Sequence, residues 1–411
     1  MKSNIPKPLH KICGKEMINM ILDSCKESGL PSAITIVPEK FDDFEKVTQN
    51  RTEYVVQKEA KGSGDALLQI KTSTIPSNII VLNSDVPLIK ASTILKMMDH
   101  HLKSKADITL LTSIPPSNQG FGRILRNNNQ EILGIVEEND TDAETHSIDE
   151  INVGIYCFKS SWVTEAINEL SPSSNGEIYL TDLIHIASTQ NKTIKSIMLN
   201  DSSEGLGVND RSQLAKLEKI IRDQINHDLL IQGVTIIDPE TSYIDQDVKI
   251  SEDTTIYPNT HIKEGSIIGN NCIIGPDCSI KGSNIGNNCV ITSSSIEYSQ
   301  IYDEVQIGPY SHIRKDSILG KNVKIGNYCE IKNSSIGQNS KSGHFSYLGD
   351  SMIGENVNIG AGTITCNYDG TNKNKTIIED NVFIGSNTML VAPIKIGKNS
   401  ITGTASVITK N

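Results

Sequence analysis

From Ile244 onward one aliphatic residue returns at every sixth position: Ile244, Ile250, Ile256, Ile262, Ile268, Ile274 and Ile280. The register slips by one at Ile285 and resumes through Ile301, Ile307, Ile313, Leu319, Ile325 and Ile331. It returns as Ile378, Ile384, Leu390 and Ile396. A period of six fits neither an amphipathic helix nor simple strand alternation. It predicts a parallel β-helix, in which each flat face takes one repeat and every sixth side chain points inward. Stacked coils then bury one continuous aliphatic ladder. Cys272 and Cys278 hold equivalent repeat positions, so their spacing needs no metal to explain it.

The first 230 or so residues obey a different rule. Met17, Ile18, Ile21, Leu22 and Cys25 have helical spacing and stop at Gly29. Strand-like runs follow: SAITIV, EYVVQ, NIIVLNSDVPLI, ADITLLTS and INVGIYCF, with ASTILKMMDHHLKSK as a crossover helix between two of them. This alternation predicts an α/β domain with a mainly parallel sheet. Leu214, Leu217, Ile221 and Ile225 form the stripe of a connecting helix that ends at Gly233. The expected division is 1–208, a connecting segment 209–233, and the β-helix at 234–411.

Thirty-eight Lys and Arg face 49 Asp and Glu, a net charge of -11, which argues against a nucleic-acid partner. An anionic substrate must therefore be held by local cations. The eight cysteines form no CxxC pair, and reduced thiols in a cytoplasmic protein are expected. No apolar run reaches membrane-spanning length. One stretch resists a purely structural reading. In IPKPLH two prolines flank Lys7, fixing a cation on a stiff loop.

The stretch SKSGHFSYLGDSMIGENVNIGAGTITCNYDGTNKNKT narrows the reading, together with IPKPLH, VVQKEAKGSGDAL, LNSDVPLI, GFGRI, GIVEEND, INVGIY, GEIYLTD and GVNDR in that order. The set resembles the bifunctional N-acetylglucosamine-1-phosphate uridylyltransferase / glucosamine-1-phosphate N-acetyltransferase family over essentially the whole chain. The resemblance implies a Rossmann-like nucleotide-diphospho-sugar transferase domain followed by a left-handed parallel β-helix. That hand is an exception to the usual right-handed crossover. It also implies a homotrimer with acetyltransferase sites between subunits, Mg²⁺ as cofactor, UTP and acetyl-CoA as co-substrates, and sugar phosphates as substrates.

Uridylyl transfer between polyanions needs neutralised charge and positioning more than covalent chemistry. By resemblance Asp85 and Asn209 are the Mg²⁺ ligands, a pair of hard oxygens suited to that ion. Asp85 also sits where a strand ends, the edge at which ligands bind in open α/β sheets. Lys7 is expected to face the triphosphate. Gln57 matches the uracil-binding glutamine, and Gly62, Ser63, Asn83 and Ser84 fall within the nucleotide motifs. Gly122, Glu137 and Asn152 match sugar contacts. The GSG at 62–64 opens a helix, and its N–H groups could meet the nucleotide. Ser63 replaces a threonine and Ser84 a glycine of the family pattern.

Acetyl transfer requires a neutral amine, hence a base, and the imidazole of histidine suits the task. His344 is the expected base, because the hexapeptide period breaks around it and such breaks host functional loops. The resemblance assigns Arg314, Lys332, Tyr347, Asn358 and Lys373 to the sugar phosphate, the first two as a planar fork and a point charge. It assigns Ala361, Asn367, Tyr368, Ser386 and Thr404 to acetyl-CoA, with Thr404 replacing an alanine.

In the family a first strand and a glycine-rich phosphate loop precede the segment that Met1 matches. A tail with a cofactor-binding arginine follows the one matched by SVITKN. The chain as written is therefore expected to be poor in uridylyl transfer and weakened in acetyl transfer, with an internal start codon or a genuine loss as explanations. Two alternatives stay open: a monofunctional acetyltransferase with a vestigial nucleotide domain, and a non-catalytic trimeric scaffold.

Overall fold

The computed structural model describes residues 1–70, 76–173 and 176–411. These fall into two compact units, Met1–Leu217 and Glu218–Asn411.

The first unit opens on a 3-10 turn, Lys7–Leu9, whose start is set by Pro6 and Pro8. A short hairpin (β1, Lys11–Ile12; β2, Lys15–Glu16) leads into α1 (Met17–Glu27), which buries Met17, Ile18, Ile21, Leu22 and Cys25 as its spacing requires. Then come β3 (Ile34–Pro38), α2 (Asp42–Thr48), β4 (Glu53–Gln57), α3 (Ser63–Leu68) and β5 (Asn78–Val81). Next are α4 (Ala91–Ser104), β6 (Ile108–Ser113), β7 (Arg123–Arg126), β8 (Ile132–Val136), α5 (Ala143–His146) and β9 (Ile151–Lys159). The unit continues with α6 (Ser160–Ala166), α7 (Asp182–Thr189) and β10 (Ile194–Met198).

The parallel character expected of this unit holds for β3 with β4 and for β6 with β10. One strand runs the other way. β9 lies antiparallel between β5 and β6, so the two strands joined by α4 are parallel to each other but not neighbours. β7 and β8 extend the sheet as an antiparallel hairpin. The long buried run Ile151–Phe158 earns this central place, since β9 is covered on both faces by Ile108, Leu110 and Trp162 on one core and Val86, Ile94 and Met97 on the other. Among the described residues β3 and β4 form a two-stranded sheet of their own, and no hydrogen-bonded strand links it to the larger sheet.

A long helix, α8 (Arg211–Ile231), ends at Gly233, whose φ of +94° is costly for any residue with a Cβ. No helix among the described residues is long and apolar enough to cross a membrane.

The second unit is a left-handed parallel β-helix of three sheets. The first face runs from Thr235–Ile236 to Phe383–Ile384, the second from Ser242–Ile244 to Val407–Ile408, and the third from Lys249–Ile250 to Ile394–Ile396. Each hexapeptide supplies one strand, and the inward isoleucines stack in register, as in Ile256↔Ile274, Ile262↔Ile280 and Ile268↔Ile285. Ile256, Ile274, Ile291 and Ile313 are wholly buried in the shared core. The slip at Ile285 now has a cause: the corner between second and third faces is one residue shorter there. The same shortening recurs at Ile296 to Ile301, Ile331 to Ile336 and Leu348 to Ile353, and the inward register survives each time. At the third-to-first corner asparagine repeats because the left-handed conformation is needed. Asn322, Asn339 and Asn356 have φ of 56–61°. Their amides also bond up the column, Asn322 to Asn339 at 3.0 Å and Asn339 to Asn356 at 3.2 Å. All eight cysteines are free thiols, and Cys272, Cys278, Cys289 and Cys329 serve as small inward core residues.

Candidate functional sites in the two units

In the first unit a cavity of about 160 Å³ gathers Ser63, Asn83, Asp85, Gly122, Glu137, Asn152 and Asn209, seven of the residues singled out in the sequence. The chain makes a turn right after β5, closed by Val86 N–H to Asn83 C=O at 3.2 Å, and this turn presents Asp85 and carries Ser84. The Asp85 carbonyl accepts the Val208 N–H at 2.9 Å, which draws Asn209 alongside. Lys7 closes the group. Its Nζ donates to Asp85 Oδ2 at 2.6 Å and to Asn209 Oδ1 at 2.7 Å.

Two hard oxygens thus already converge on one positive charge. The ammonium stands where a cation of oxygen chemistry fits, and the donor set is the kind Mg²⁺ accepts when water and phosphates supply the rest. By this test the residues suit the metal.

Glu137 faces the cavity. Burial raises its carboxyl above the usual range, and a hydrogen bond from Thr181 Oγ1 (2.7 Å) pulls the other way. Gly122 lies against it: a Cβ there would be 2.9 Å from Ile135 Cγ2 and 3.5 Å from Glu137 Oε2. Asn152 is held by its Nδ2 donating to the Tyr156 hydroxyl at 2.6 Å, while its Oδ1 accepts the Gly154 N–H at 3.1 Å. Burial pushes that Tyr156 hydroxyl up, so it remains a neutral partner. Thr181 and Tyr156 were not picked out from the sequence. The only signal was their place inside GEIYLTD and INVGIY.

In the glycine segment at 62–64 one backbone donor is already used. Gly64 N–H is spent on Ile178 C=O at 2.9 Å, and Ser63 Oγ accepts Leu180 N–H at 3.1 Å. Gly62, with φ of +107°, could not carry a Cβ without striking Ile178. These contacts clamp α3 to the 178–180 segment, and Ser63 lines the cavity wall. Gln57 is bound to the same place, donating to Asp65 Oδ2 at 2.7 Å and Gly62 C=O at 3.2 Å.

In the second unit the period does not break at His344, which corrects the sequence reading. Ser342 takes the inward place after Ile325, where it is 1% exposed and touches the Cys329 thiol, so the coil continues. The loop comes later, where the second-face strand Ile364–Cys366 and the next third-face strand Thr376–Ile378 are separated by nine residues, 367–375. His344 instead occupies the first-to-second corner, directly above Asn327.

That corner is a column. Asn327, His344, Ala361, Ser386 and Thr404 follow one another in successive coils, through the bonds Gly362 N–H to Phe345 C=O (3.1 Å), Asn387 N–H to Ala361 C=O (2.7 Å) and Ala405 N–H to Ser386 C=O (2.8 Å). His344 Nδ1 is 3.1 Å from Asn327 Oδ1. An amide oxygen only accepts, so Nδ1 carries the proton and the Nε2 lone pair is the basic one. Asn327 escaped the sequence reading, since it lies one coil upstream and has no local motif.

The opposite edge of the second face collects the cations. Arg314 stacks on Lys332 in consecutive coils, and Arg314 Nη1 donates to Glu330 Oε1 at 2.8 Å. The neighbouring Lys332 ammonium pulls the Lys373 ammonium below its usual range. The Tyr347 hydroxyl lies over Gly349, towards the same edge. Asn358 lies apart, on the first face beside Lys341. Tyr368 is exposed on the loop and donates to Gly370 C=O at 2.6 Å.

Asn367 is buried: its Nδ2 donates to Asp350 and lies 3.4 Å from the Tyr347 hydroxyl. Asp350 also accepts Asn333 Nδ2 at 2.6 Å, tying three coils together behind Tyr347. Asp350→Ala should leave the buried Asn367 amide without its carboxylate acceptor, a cost of about 1–3 kcal/mol in stability, while the exposed Asn333 amide can turn to water. It should also lower acetyl transfer about tenfold, the rate equivalent of ~1.4 kcal/mol. Thermal melting and sugar-phosphate KM measured on the same variant check both; an unchanged KM would leave Asp350 a purely structural group.

Residues 2–210 match the nucleotidyl transferase family, and residues 231–323 and 296–407 match the GMPPB C-terminal domain. The chain is similar along its whole length to the bifunctional protein GlmU of Carboxydothermus hydrogenoformans, with 42% identity over 412 residues and 92% of that relative covered. It is 46% identical over 413 residues to the bifunctional protein GlmU of Thermosipho melanesiensis, covering 90% of it, and 41% identical over 411 residues to that of Clostridioides difficile, also covering 90%.

Proposed function

The chain belongs to the family of bifunctional GlmU proteins, and from that membership we propose that it makes UDP-N-acetylglucosamine in two steps. Acetyl transfer from acetyl-CoA to glucosamine 1-phosphate falls to residues 234–411. Uridylyl transfer from UTP to N-acetylglucosamine 1-phosphate, with release of pyrophosphate, falls to residues 1–208. The observation that carries this reading is the separation of the chemical groups into two sets. An oxygen pair with its cation lines one cavity, and an oriented imidazole with a cationic edge lies on one face of the β-helix.

For acetyl transfer, His344 Nε2 takes the proton of the sugar amine as its nitrogen bonds to the thioester carbonyl carbon. The C–S bond then breaks, and the proton passes to the leaving thiolate. Ser386, two coils along the same corner, is placed to donate to the developing oxyanion. Arg314, Lys332 and Lys373 hold the sugar phosphate. In one chain His344 and Lys332 lie at opposite edges of the face. Lys332 pairs with Gly349, five residues beyond His344, up to about 16 Å at ~3.3 Å per residue. That separation favours sites completed by a neighbouring copy, as in a homotrimer.

For uridylyl transfer, the sugar-phosphate oxygen attacks the α-phosphorus and pyrophosphate departs. Asp85 and Asn209 would hold Mg²⁺, which when bound would neutralise phosphate charge. Glu137, Asn152 and Gly122 seat the sugar, and Lys7 meets the phosphates. We expect this step to be the slower, since the Gly64 N–H that could meet a phosphate is spent on Ile178.

Two assays on the full chain test the proposal. Free CoA thiol should appear only when glucosamine 1-phosphate and acetyl-CoA are both present. Pyrophosphate should appear with UTP and N-acetylglucosamine 1-phosphate, and only with Mg²⁺. CoA release without pyrophosphate at any enzyme concentration would favour the monofunctional alternative, and silence in both assays would favour the scaffold.

A further inference from the structure

The Lys7 ammonium does more than point at a future phosphate. Its two hydrogen bonds, 2.6 Å to Asp85 Oδ2 and 2.7 Å to Asn209 Oδ1, are made to the same two oxygens proposed above to hold the metal. The contact is part-buried on its Asp85 side and exposed on its Asn209 side. Lys7 stands on a 3-10 turn braced by Pro6 and Pro8, and its side chain is 31% exposed and that of Asp85 26%. Asn209 is fixed from behind, with its N–H donating to Gln213 Oε1 at 2.5 Å and Val208 N–H bonded to the Asp85 carbonyl.

A Mg²⁺ ion binds oxygen at about 2.0–2.1 Å. An ion at that distance from both oxygens would lie against the ammonium, with three positive charges in one small space. The two cations therefore exclude each other. Lys7 leaves most readily when another anion takes it up, and the polyphosphate of the proposed nucleotide is an anion of that kind.

We propose that Lys7 is an internal cation that occupies the divalent-metal locus of the nucleotide-free protein, so that metal enters together with a nucleoside triphosphate and not before it. This rests on the reading of Asp85 and Asn209 as metal ligands. It adds an order of binding to that reading and gives Lys7 two successive partners. Without nucleotide, Lys7 neutralises Asp85 and keeps the two ligand oxygens in place. With nucleotide, it transfers its charge to the phosphates and leaves the oxygens free. By linkage, the nucleotide must then raise metal affinity and the metal must raise nucleotide affinity by the same factor.

The test is Mn²⁺ binding to the full chain without nucleotide, followed by the electron paramagnetic resonance signal of free Mn²⁺. Lys7→Met should bind Mn²⁺ at least tenfold more tightly than the unaltered protein. Lys7→Arg, which keeps a cation at the locus, should bind it as weakly as the unaltered protein. Adding Asp85→Asn to Lys7→Met should abolish the gain. Equal affinity in the unaltered protein and Lys7→Met, lost in both on Asp85→Asn, would overturn the exclusion while leaving the ligand assignment standing. A gain in Lys7→Met that survives Asp85→Asn would overturn the ligand assignment itself. Circular-dichroism melting of each variant confirms that folded protein is being compared.

Discussion

Replacing His344 by glutamine is expected to lower acetyl transfer by roughly 10²–10⁴-fold, the usual worth of a positioned general base. Pyrophosphate release should be unchanged, because the residues assigned to it lie in the other unit. The imidazole is exposed, and among the described residues its one side-chain partner is the Asn327 amide oxygen. Its removal should therefore shift stability by no more than ~0.5 kcal/mol, as for other surface substitutions. This separation makes the test clean: a large loss of rate with an unchanged melting temperature can only come from chemistry or binding. Asn327→Ala should give a smaller loss, since the ring keeps its place in the coil but loses the acceptor that fixes its tautomer. Measurement of CoA thiol release under saturating substrate decides the matter. Equal rates for His344→Gln and the unaltered protein would remove His344 as the base, and attention would pass to other polar groups at that corner.

The β-helix was legible because its rule is periodic over many coils. An inward Ile at every sixth position has no competing explanation, and Ile256, Ile274 and Ile313 are buried as that rule demands. Corner chemistry was only half legible. The recurrent asparagines mark left-handed corners, but the shortened second-to-third corner showed itself as a single slip at Ile285 when it recurs three more times. Ser342 misled the reading, because a serine at an inward place looks like a broken repeat when only sequence is seen. Its hydroxyl is satisfied by the Cys329 thiol one coil below, a contact invisible at a separation of 13 residues. The antiparallel course of β9 was likewise hidden, since a fully buried strand reads the same in either direction. In the sites, motifs named the residues that reach into the cavity but not those that hold them. Thr181 behind Glu137, Asp350 behind Asn367, and Asn327 beneath His344 are all set by tertiary contact. The partner of Lys7 was the least legible of all, because it joins residues 78 and 202 positions apart.

Gly326→Ala should damage fold and acetyl transfer together, and Gly343→Ala should damage neither by way of steric overlap. The two glycines face each other in successive coils at the foot of the His344 corner. A Cβ on Gly326 would overlap the Gly343 carbonyl oxygen and lie 2.9 Å from the Gly343 Cα, so backbone and not a flexible side chain must give way. A Cβ on Gly343 meets nothing within 4 Å, and neither glycine has the positive φ that would strain an alanine. The difference between them is therefore packing alone. Overpacking of this kind costs about 1–3 kcal/mol and occasionally more. The strand that must move is Lys341–His344, which carries the base. Displacing a catalytic group by about 1 Å is worth about 10²-fold in rate, so Gly326→Ala should show that loss of acetyl transfer on top of its lower melting temperature. Gly343→Ala should stay within ~0.5 kcal/mol of the unaltered protein in stability. Melting curves and CoA release for the two variants side by side check the claim. If both glycines tolerate alanine equally, the close approach of these coils is not what holds His344 over Asn327, and the corner owes its shape to the Asn327 amide instead.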